Sequence, residues 1–241
     1  MLHGMSSSQR TYTNRFLRGL SSRDAGLLEP HLDYLELPLG RQLELAGKVV
    51  DFIYFPENGI ASTTYDEGGE AHRIEIGLVG REGLTGSSVI LADGRSPNGT
   101  VMQVGGEGYR VGTAEFLEAM RQSATFQRKA LNFMHVMFIQ ASQTALANRR
   151  ASLEERLARW LLMSSDRLDS PVLNLTNKFL SIMLGVRRAG VTEALQSLEG
   201  IGMIKAKRIH ITILDRPALI RLANVYYGVP EREYERLLGK A

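Results

Sequence analysis

Hydrophobic and polar positions change rhythm along this chain, and each change marks a unit. Between Gly40 and Gly112 short β-type runs at 49–55, 60–65, 72–79, 100–104 and 109–111 stand between turn signals such as Pro56-Glu-Asn-Gly59 and Asp66-Glu-Gly-Gly69. Fifteen of the 24 glycines lie in this stretch. Short strands separated by turns at steps of roughly ten residues predict an all-β barrel or jelly roll. Ahead of it, residues 1 to about 12 are expected to be frayed, and 14–20 and 24–32 predict two short helices, the second broken near Pro30.

From Thr113 the glycines almost vanish and helical spacing takes over. A short helix is predicted at 113–122 and a long one at 125–150. In the long helix Leu131, Met134, Phe138, Ala141 and Ala145 make one stripe, and Phe133, Met137, Gln140 and Thr144 make a second beside it. A helix apolar on two neighbouring sides buries more than one barrel can cover. That points to a seam with a second copy, though packing within one protomer would also use such stripes. Leu153, Leu157, Trp160 and Leu161 begin another amphipathic helix.

Two short helical patterns then fill 175–198. Thr176 can cap the first by accepting an amide of its opening turn. Phe179, Leu180, Met183 and Leu184 face inward, and Gly185 permits the sharp reversal between the arms. In the second helix Val191, Leu195 and Leu198 form the docking stripe; Arg188, Thr192 and Gln196 form one row opposite, with Ala189 and Glu193 in the next. That pattern is a helix-turn-helix able to present side chains to base edges, or an ordinary αα-hairpin with a solvated face. Ile209, Ile211 and Ile213 alternate with His210 and Thr212 as a half-buried strand, with Lys205, Lys207 and Arg208 clustered at the turn before it. A hairpin with a basic tip behind a helix-turn-helix makes a winged helix. A further helix is predicted at 217–227, and 231–241 as a charged tail.

Charge sharpens this division. The whole chain carries a net charge of only +3. Residues 171–223, however, hold eight Lys and Arg against three acidic residues, whereas the first 150 hold 15 against 16. Basic residues grouped beside a helix-turn-helix are the footprint of a phosphate-backbone binder. There is no apolar run near the roughly 18 residues of a membrane span and no apolar signal core at the start, so a cytoplasmic, non-membrane protein is expected. Zero cysteines exclude disulfides, thiolate nucleophiles and cysteine-ligated clusters.

Enzyme signatures are missing. Gly106-Glu-Gly108 starts like a dinucleotide loop but lacks the last glycine and the βα context, so it is expected to be a loop. No P-loop, nucleophile elbow or His-Glu-x-x-His helix occurs. A jelly-roll metalloenzyme would need two or three His on facing strands, and the predicted barrel holds one, His72. No metal, no cofactor and no enzymatic activity are expected.

A β-roll, a long central helix and a winged helix-turn-helix in this order resemble the Crp–Fnr family of bacterial transcription regulators. The resemblance runs from about Asn14 to Ala223 and rests on Phe55-Pro-Glu-Asn-Gly59, Gly80-Arg-Glu-Gly-Leu-Thr-Gly86 and above all 175–198. It implies an α+β chain: an N-terminal jelly-roll (double-stranded β-helix) sensor over 1–112, a short helix and the dimerisation helix over 113–150, and a winged helix-turn-helix over 151–241. It also implies a homodimer on a roughly palindromic double-stranded operator, with RNA polymerase as a further partner. By this resemblance Arg188 is the base-reading arginine, joined by Thr192, Glu193 and Gln196. Thr176, Lys178, Arg187, Lys205, Lys207 and Arg208 are placed for phosphates. Relatives usually carry Glu immediately after this arginine; here it is Ala189, so the operator should differ from the familiar one. In the sensor, relatives that bind cyclic AMP use a Gly-Glu pair and an Arg-Ser pair. Gly86-Ser87 and Pro97-Asn98 stand there instead, with Arg95 nearby. Binding of cyclic AMP in the usual mode is therefore not expected, and Gly86, Ser87, Arg95 and Asn98 are the candidate pocket for another effector, such as a cyclic dinucleotide. A protein-interaction module that binds no DNA is the rival reading.

Overall fold

The computed structural model describes residues 11–65, 74–207 and 210–239. Asn14 and Ser21 each accept an amide of the following turn and so start α1 (Arg15–Arg18) and α2 (Ser22–Leu28). Tyr12, expected in a frayed segment, is buried with its ring 5.2 Å from that of Tyr109. The strands β1 (Asp33–Leu37), β2 (Gln42–Glu44), β3 (Phe52–Pro56), β4 (Ile60–Tyr65) and β5 (Ile74–Val79) follow. The short α3 (Ser87–Ile90) precedes β6 (Gly99–Val104) and β7 (Gly106–Gly112). They form two antiparallel sheets, ordered β1-β7-β3 and β2-β6-β4-β5. Ile53, Phe55 and Val111 from one sheet and Ala61, Val79 and Met102 from the other share a core with Phe16, Phe116, Phe126 and Phe133.

One expectation fails here, and two strands are additional to those expected. Gly106-Glu-Gly108 is the first half of β7, paired with β1 on one side and, from Gly108 onward, with β3 on the other. Its glycines answer to crowding: a Cβ on Gly108 would lie 2.4 Å from the Phe55 carbonyl oxygen, and one on Gly106 2.2 Å from Asn58 Oδ1. The strands β1 and β2 went unpredicted because Asp33, Tyr34, Glu36 and Gln42 are exposed, which erases the apolar run. His72 and the start of the predicted 72–79 strand lie outside the described residues.

Helix α4 (Thr113–Gln122) leads to α5 (Ala124–Arg150), which begins where the Ser123 hydroxyl accepts the Phe126 amide. The helix also closes an open sheet edge. β5 ends its sheet, and Gln140 meets it with both halves of its amide: Oε1 accepts from Leu78 N at 2.7 Å and Nε2 donates to Leu78 O at 3.3 Å. A capping box of Ser152 and Glu155 starts α6 (Leu153–Leu168).

Next come β8 (Val172–Asn174), α7 (Asn177–Leu184), α8 (Arg188–Gly200), β9 (Ile204–Lys207), β10 (His210–Ile213) and α9 (Arg216–Ala223). The three strands form an antiparallel sheet ordered β8-β10-β9, one strand more than the hairpin expected. Leu157, Trp160, Leu161, Leu180, Val191, Leu198 and Ile211 make a second core. That core also takes in Ile60 and Leu78, so the outer face of the larger barrel sheet is covered by the C-terminal module.

The charged tail expected at 231–241 is instead α10 (Val229–Leu238), with residues 240–241 outside the described set. Pro230 and Tyr234 are buried and Leu237 and Leu238 pack on the first core, while Arg232, Glu235 and Arg236 stay exposed. Apolar residues spaced four and three apart, hidden among charges, make a narrow amphipathic stripe. The helix lies against α5, and Asn132 Nδ2 donates to Leu237 O at 3.2 Å.

Candidate nucleic-acid interface

The interface is built from α7, α8 and the wing. The Thr176 hydroxyl accepts from Phe179 N at 3.1 Å and starts α7. Gly185, at φ +62°, ends it in the left-handed region that only glycine enters without strain. The Arg156 guanidinium of α6 donates to the Leu184 carbonyl, so the turn is held from below. Asn177 Nδ2 donates to Thr192 Oγ1 at 3.1 Å, and the same hydroxyl donates to the Arg188 carbonyl at 3.1 Å. These contacts lock the angle between α7 and α8. Val191, Leu195 and Leu198 are buried beneath α8.

The opposite side of α8 is bare. Arg187 and Arg188 are exposed at its N-terminus, where no side chain caps the helix, and neither side chain has a hydrogen-bond or carboxylate partner among the described residues. Glu193 and Gln196 are exposed on the same side. Thr192 is half-buried and its hydroxyl is used twice inside the module, which sets it apart from the other three expected base readers. Thr176 and Lys178 are exposed along α7, and Lys205 and Lys207 along β9. Arg208 lies outside the described residues. The wing is tied back by Glu199 Oε1, which accepts from Ala206 N at 3.2 Å, and by a 2.7 Å contact between His210 Nδ1 and Asn174 Oδ1. Free amides and two unpaired arginines at one helix end make a cationic prow suited to phosphate and base-edge acceptors.

The expected effector residues lie at the start of α3 and in the segment between α3 and β6. Gly86 opens α3 at φ +80°, and its amide donates to Glu44 Oε1 at 2.8 Å. Glu44 is buried, and burial raises its pKa despite hydrogen bonds from Gly86, Thr100 and Thr85. The chain's own carboxylate therefore takes the acceptor position beside Gly86. Ser87 and Arg95 are exposed, and Asn98 is half-buried with its amide on Ser96 Oγ at 3.1 Å.

On the expected dimer stripe, Phe138 is 69% exposed, Leu131 43% exposed and Ala145 exposed, while Ala141 is half-buried. Met134 departs from the stripe: at 7% exposure it belongs to the first core, which also holds Tyr234 of the unexpected α10.

Sequence reasoning missed a polar seam between barrel and C-terminal module. Glu75 of β5 is buried there, accepting from Ser62 Oγ at 3.1 Å and Trp160 Nε1 at 3.2 Å. Burial pushes its pKa up to about 7, opposed by those hydrogen bonds and by Arg159 and Arg167. The Arg159 guanidinium ties α5 to the turn past α9, donating to Tyr226 O at 2.9 Å, Thr144 Oγ1 at 3.0 Å and Gln140 O at 3.4 Å. A strand reading Ile-Glu-Ile gives Glu75 the look of a solvated residue; only the covering module buries it. Among the described residues no group of three His, Asp or Glu side chains could hold a metal, and no helix is long and apolar enough to cross a membrane.

Residues 155–222 match the Crp-like helix-turn-helix domain family. Solved structures extend the likeness across the chain. FixK2 from Bradyrhizobium japonicum is 16% identical, with 79% of this chain and 96% of that one covered at a TM-score of 0.69. A CRP-family transcriptional regulator from Thermus thermophilus is also 16% identical, covering 78% and 96% at 0.65. The c-di-GMP-responsive global regulator CLP from Xanthomonas campestris is 12% identical, covering 80% and 99% at 0.62. No curated protein matches the sequence. With its barrel, long helix and winged module in this order, the chain shares the fold of these Crp/Fnr-type structures, and residues 155–222 match the Crp-like helix-turn-helix domain family.

Proposed function

We propose that this protein is a non-enzymatic, sequence-specific DNA-binding transcription regulator acting as a homodimer. Two copies pair along the exposed Leu131, Phe138 and Ala145 stripe of α5 and set their α8 helices into successive major grooves on one DNA face. Arg188 reads guanine O6 and N7, and Glu193 and Gln196 take neighbouring base edges. Thr192 braces α7 against α8 and brings little more than its methyl group to the groove. Arg187, Lys178, Lys205, Lys207 and Arg208 contact phosphates, with Thr176 at the first turn of α7. The observation that carries this reading is the pair Arg187 and Arg188, exposed and unpartnered at the bare start of α8.

Cyclic AMP in the usual mode is not its effector: Glu44 already accepts the Gly86 amide, and a second buried anion there would meet that carboxylate. The test is selection of bound fragments from random duplex DNA, followed by affinity measurement as salt is raised. Recovery of a two-fold-related motif, bound with affinity that falls steeply as counterions accumulate, supports the reading. A protein that stays monomeric and ignores duplex DNA at low salt overturns it.

A further inference from the structure

Between α5, α6 and α10, at the loop that follows β5, lies a cavity of about 610 Å³ that none of the expected effector residues line. Its size falls within the roughly 300–1,000 Å³ of small-molecule sites. Phe133, Val136 and Met137 of α5 supply one apolar wall. Four arginines line it, and three of them are neutralised. Arg81 pairs with Asp169 at 2.9 Å, Arg167 with Glu82 at 2.9 Å, and Arg216 with Asp166 at 2.5 Å. Of the remaining acids, Glu231 accepts the Gly228 amide at 3.0 Å and Glu235 is exposed to water.

The fourth arginine is different. Arg15 is half-buried and its guanidinium carbon sits 4.6 Å from the centre of the Tyr234 ring; its Nε, like those of Arg81 and Arg167, has no hydrogen-bond partner. No carboxylate pairs with it among the described residues. A ring face holds a cation but leaves its N–H donors without acceptors.

We propose that this cavity is a binding site for a small organic monocarboxylate, its anionic head on Arg15 and its apolar body along Phe133, Val136 and Met137. Four arginines and five acidic residues line the cavity, so Arg15 leaves room for at most one further negative charge. A phosphate dianion would bring excess charge among Glu82, Asp166, Asp169 and Glu231. The occupant would touch α5 of the barrel side, α6 and Arg216 of the C-terminal module, and Tyr234 of the helix that straps the two together.

The test uses the full chain without DNA, so its failure and a failure of the DNA-binding reading are separate results. Calorimetry would compare 4-phenylbutyrate, its neutral amide and inorganic phosphate. The acid should bind at least tenfold more tightly than either the amide or phosphate. Arg15→Gln should weaken the acid at least tenfold, and Arg95→Gln, in the barrel, should leave it unchanged. The chain has no cysteine, so Met137→Cys adds a single thiol inside the cavity. The acid, but not the amide, should slow labelling of that thiol at least tenfold, which decides the matter even where Arg15→Gln fails to fold. No binding of the acid, equal binding of acid and amide, loss in Arg95→Gln instead of Arg15→Gln, or an unprotected thiol overturns the proposal.

Discussion

Glu75→Gln should stabilise this protein at neutral and alkaline pH, although it removes a charged residue that makes two hydrogen bonds. The carboxyl is buried at the seam between β5 and α6, and desolvation pushes its pKa from an ordinary 4.5 to about 7. Between those limits the folded chain holds a proton that the unfolded chain has released. Stability therefore falls as pH rises through the window, and the loss is complete above the folded value. At about 1.4 kcal/mol per pH unit, the span from 4.5 to about 7 amounts to ~3 kcal/mol in full. Glutamine keeps the shape, accepts from Trp160 Nε1, and donates to Ser62 Oγ in place of accepting from it. Glu44 and Glu231, also raised by burial, titrate alike in both proteins and cancel in the comparison. The assay is urea unfolding at fixed protein concentration at pH 5 and pH 8, followed by fluorescence of the only tryptophan, Trp160, which itself touches the mutated group. Wild type should lose about 2–3 kcal/mol relative to the variant between the two pH values. Parallel pH dependence in the two proteins, or a variant weaker than wild type at pH 8, would refute the reasoning.

Other perturbations probe the remaining interfaces. Arg188→Ala should cost roughly 1–3 kcal/mol of discrimination between a selected site and its single-base variants, read by competition binding; unchanged preference would remove Arg188 as the base reader. Lys207→Ala should weaken every duplex about equally, and a shift in sequence preference would contradict its phosphate role. Phe138→Glu places a charge at a side chain that is 69% exposed in the protomer, so sedimentation should show dissociation without loss of protomer stability. Gln140→Leu strips the Leu78 amide of its partner at a buried sheet edge, while the Leu78 carbonyl keeps Arg167 Nη2. It should cost about 1–3 kcal/mol in denaturant unfolding.

What was legible in the chain was what neighbours in sequence decide. Thr176, Gly185 and the Val191-Leu195-Leu198 stripe specify two helices and a turn with no reference to anything distant, and the structure has them there. The same holds for α5, whose spacing runs unbroken to Arg150. The failures share the opposite cause. Gly106 and Gly108 look like a loop until the Phe55 and Asn58 backbone lies against them. Glu231 to Leu238 looks like a solvated tail until α5 offers a surface for Tyr234 and Leu237. Gly86 was legible as a candidate pocket residue, but the carboxylate that claims its amide lies 42 residues away.

Those long-range contacts bear on how a signal could cross the molecule. Gln140 of α5 holds β5 by its side chain, and its own carbonyl accepts from Arg159 of α6. Arg159 in turn holds Tyr226, just past α9, and α10 returns from there to the barrel, where Tyr234 donates to Glu82 O at 2.7 Å. The two modules are thus closed into a ring of buried and partly buried hydrogen bonds rather than joined by one tether. A tether would let the winged module sample many orientations and would transmit little strain. A ring with the Glu75 seam on one side and the Arg15 cavity on another permits few arrangements, so a proton or ligand that favoured one of them would change the position of α8 as a whole. On this argument cutting the ring at Tyr234 should alter the response to any effector more than it alters affinity for DNA in its absence. Equal losses in both would mean that the strap only stabilises the fold.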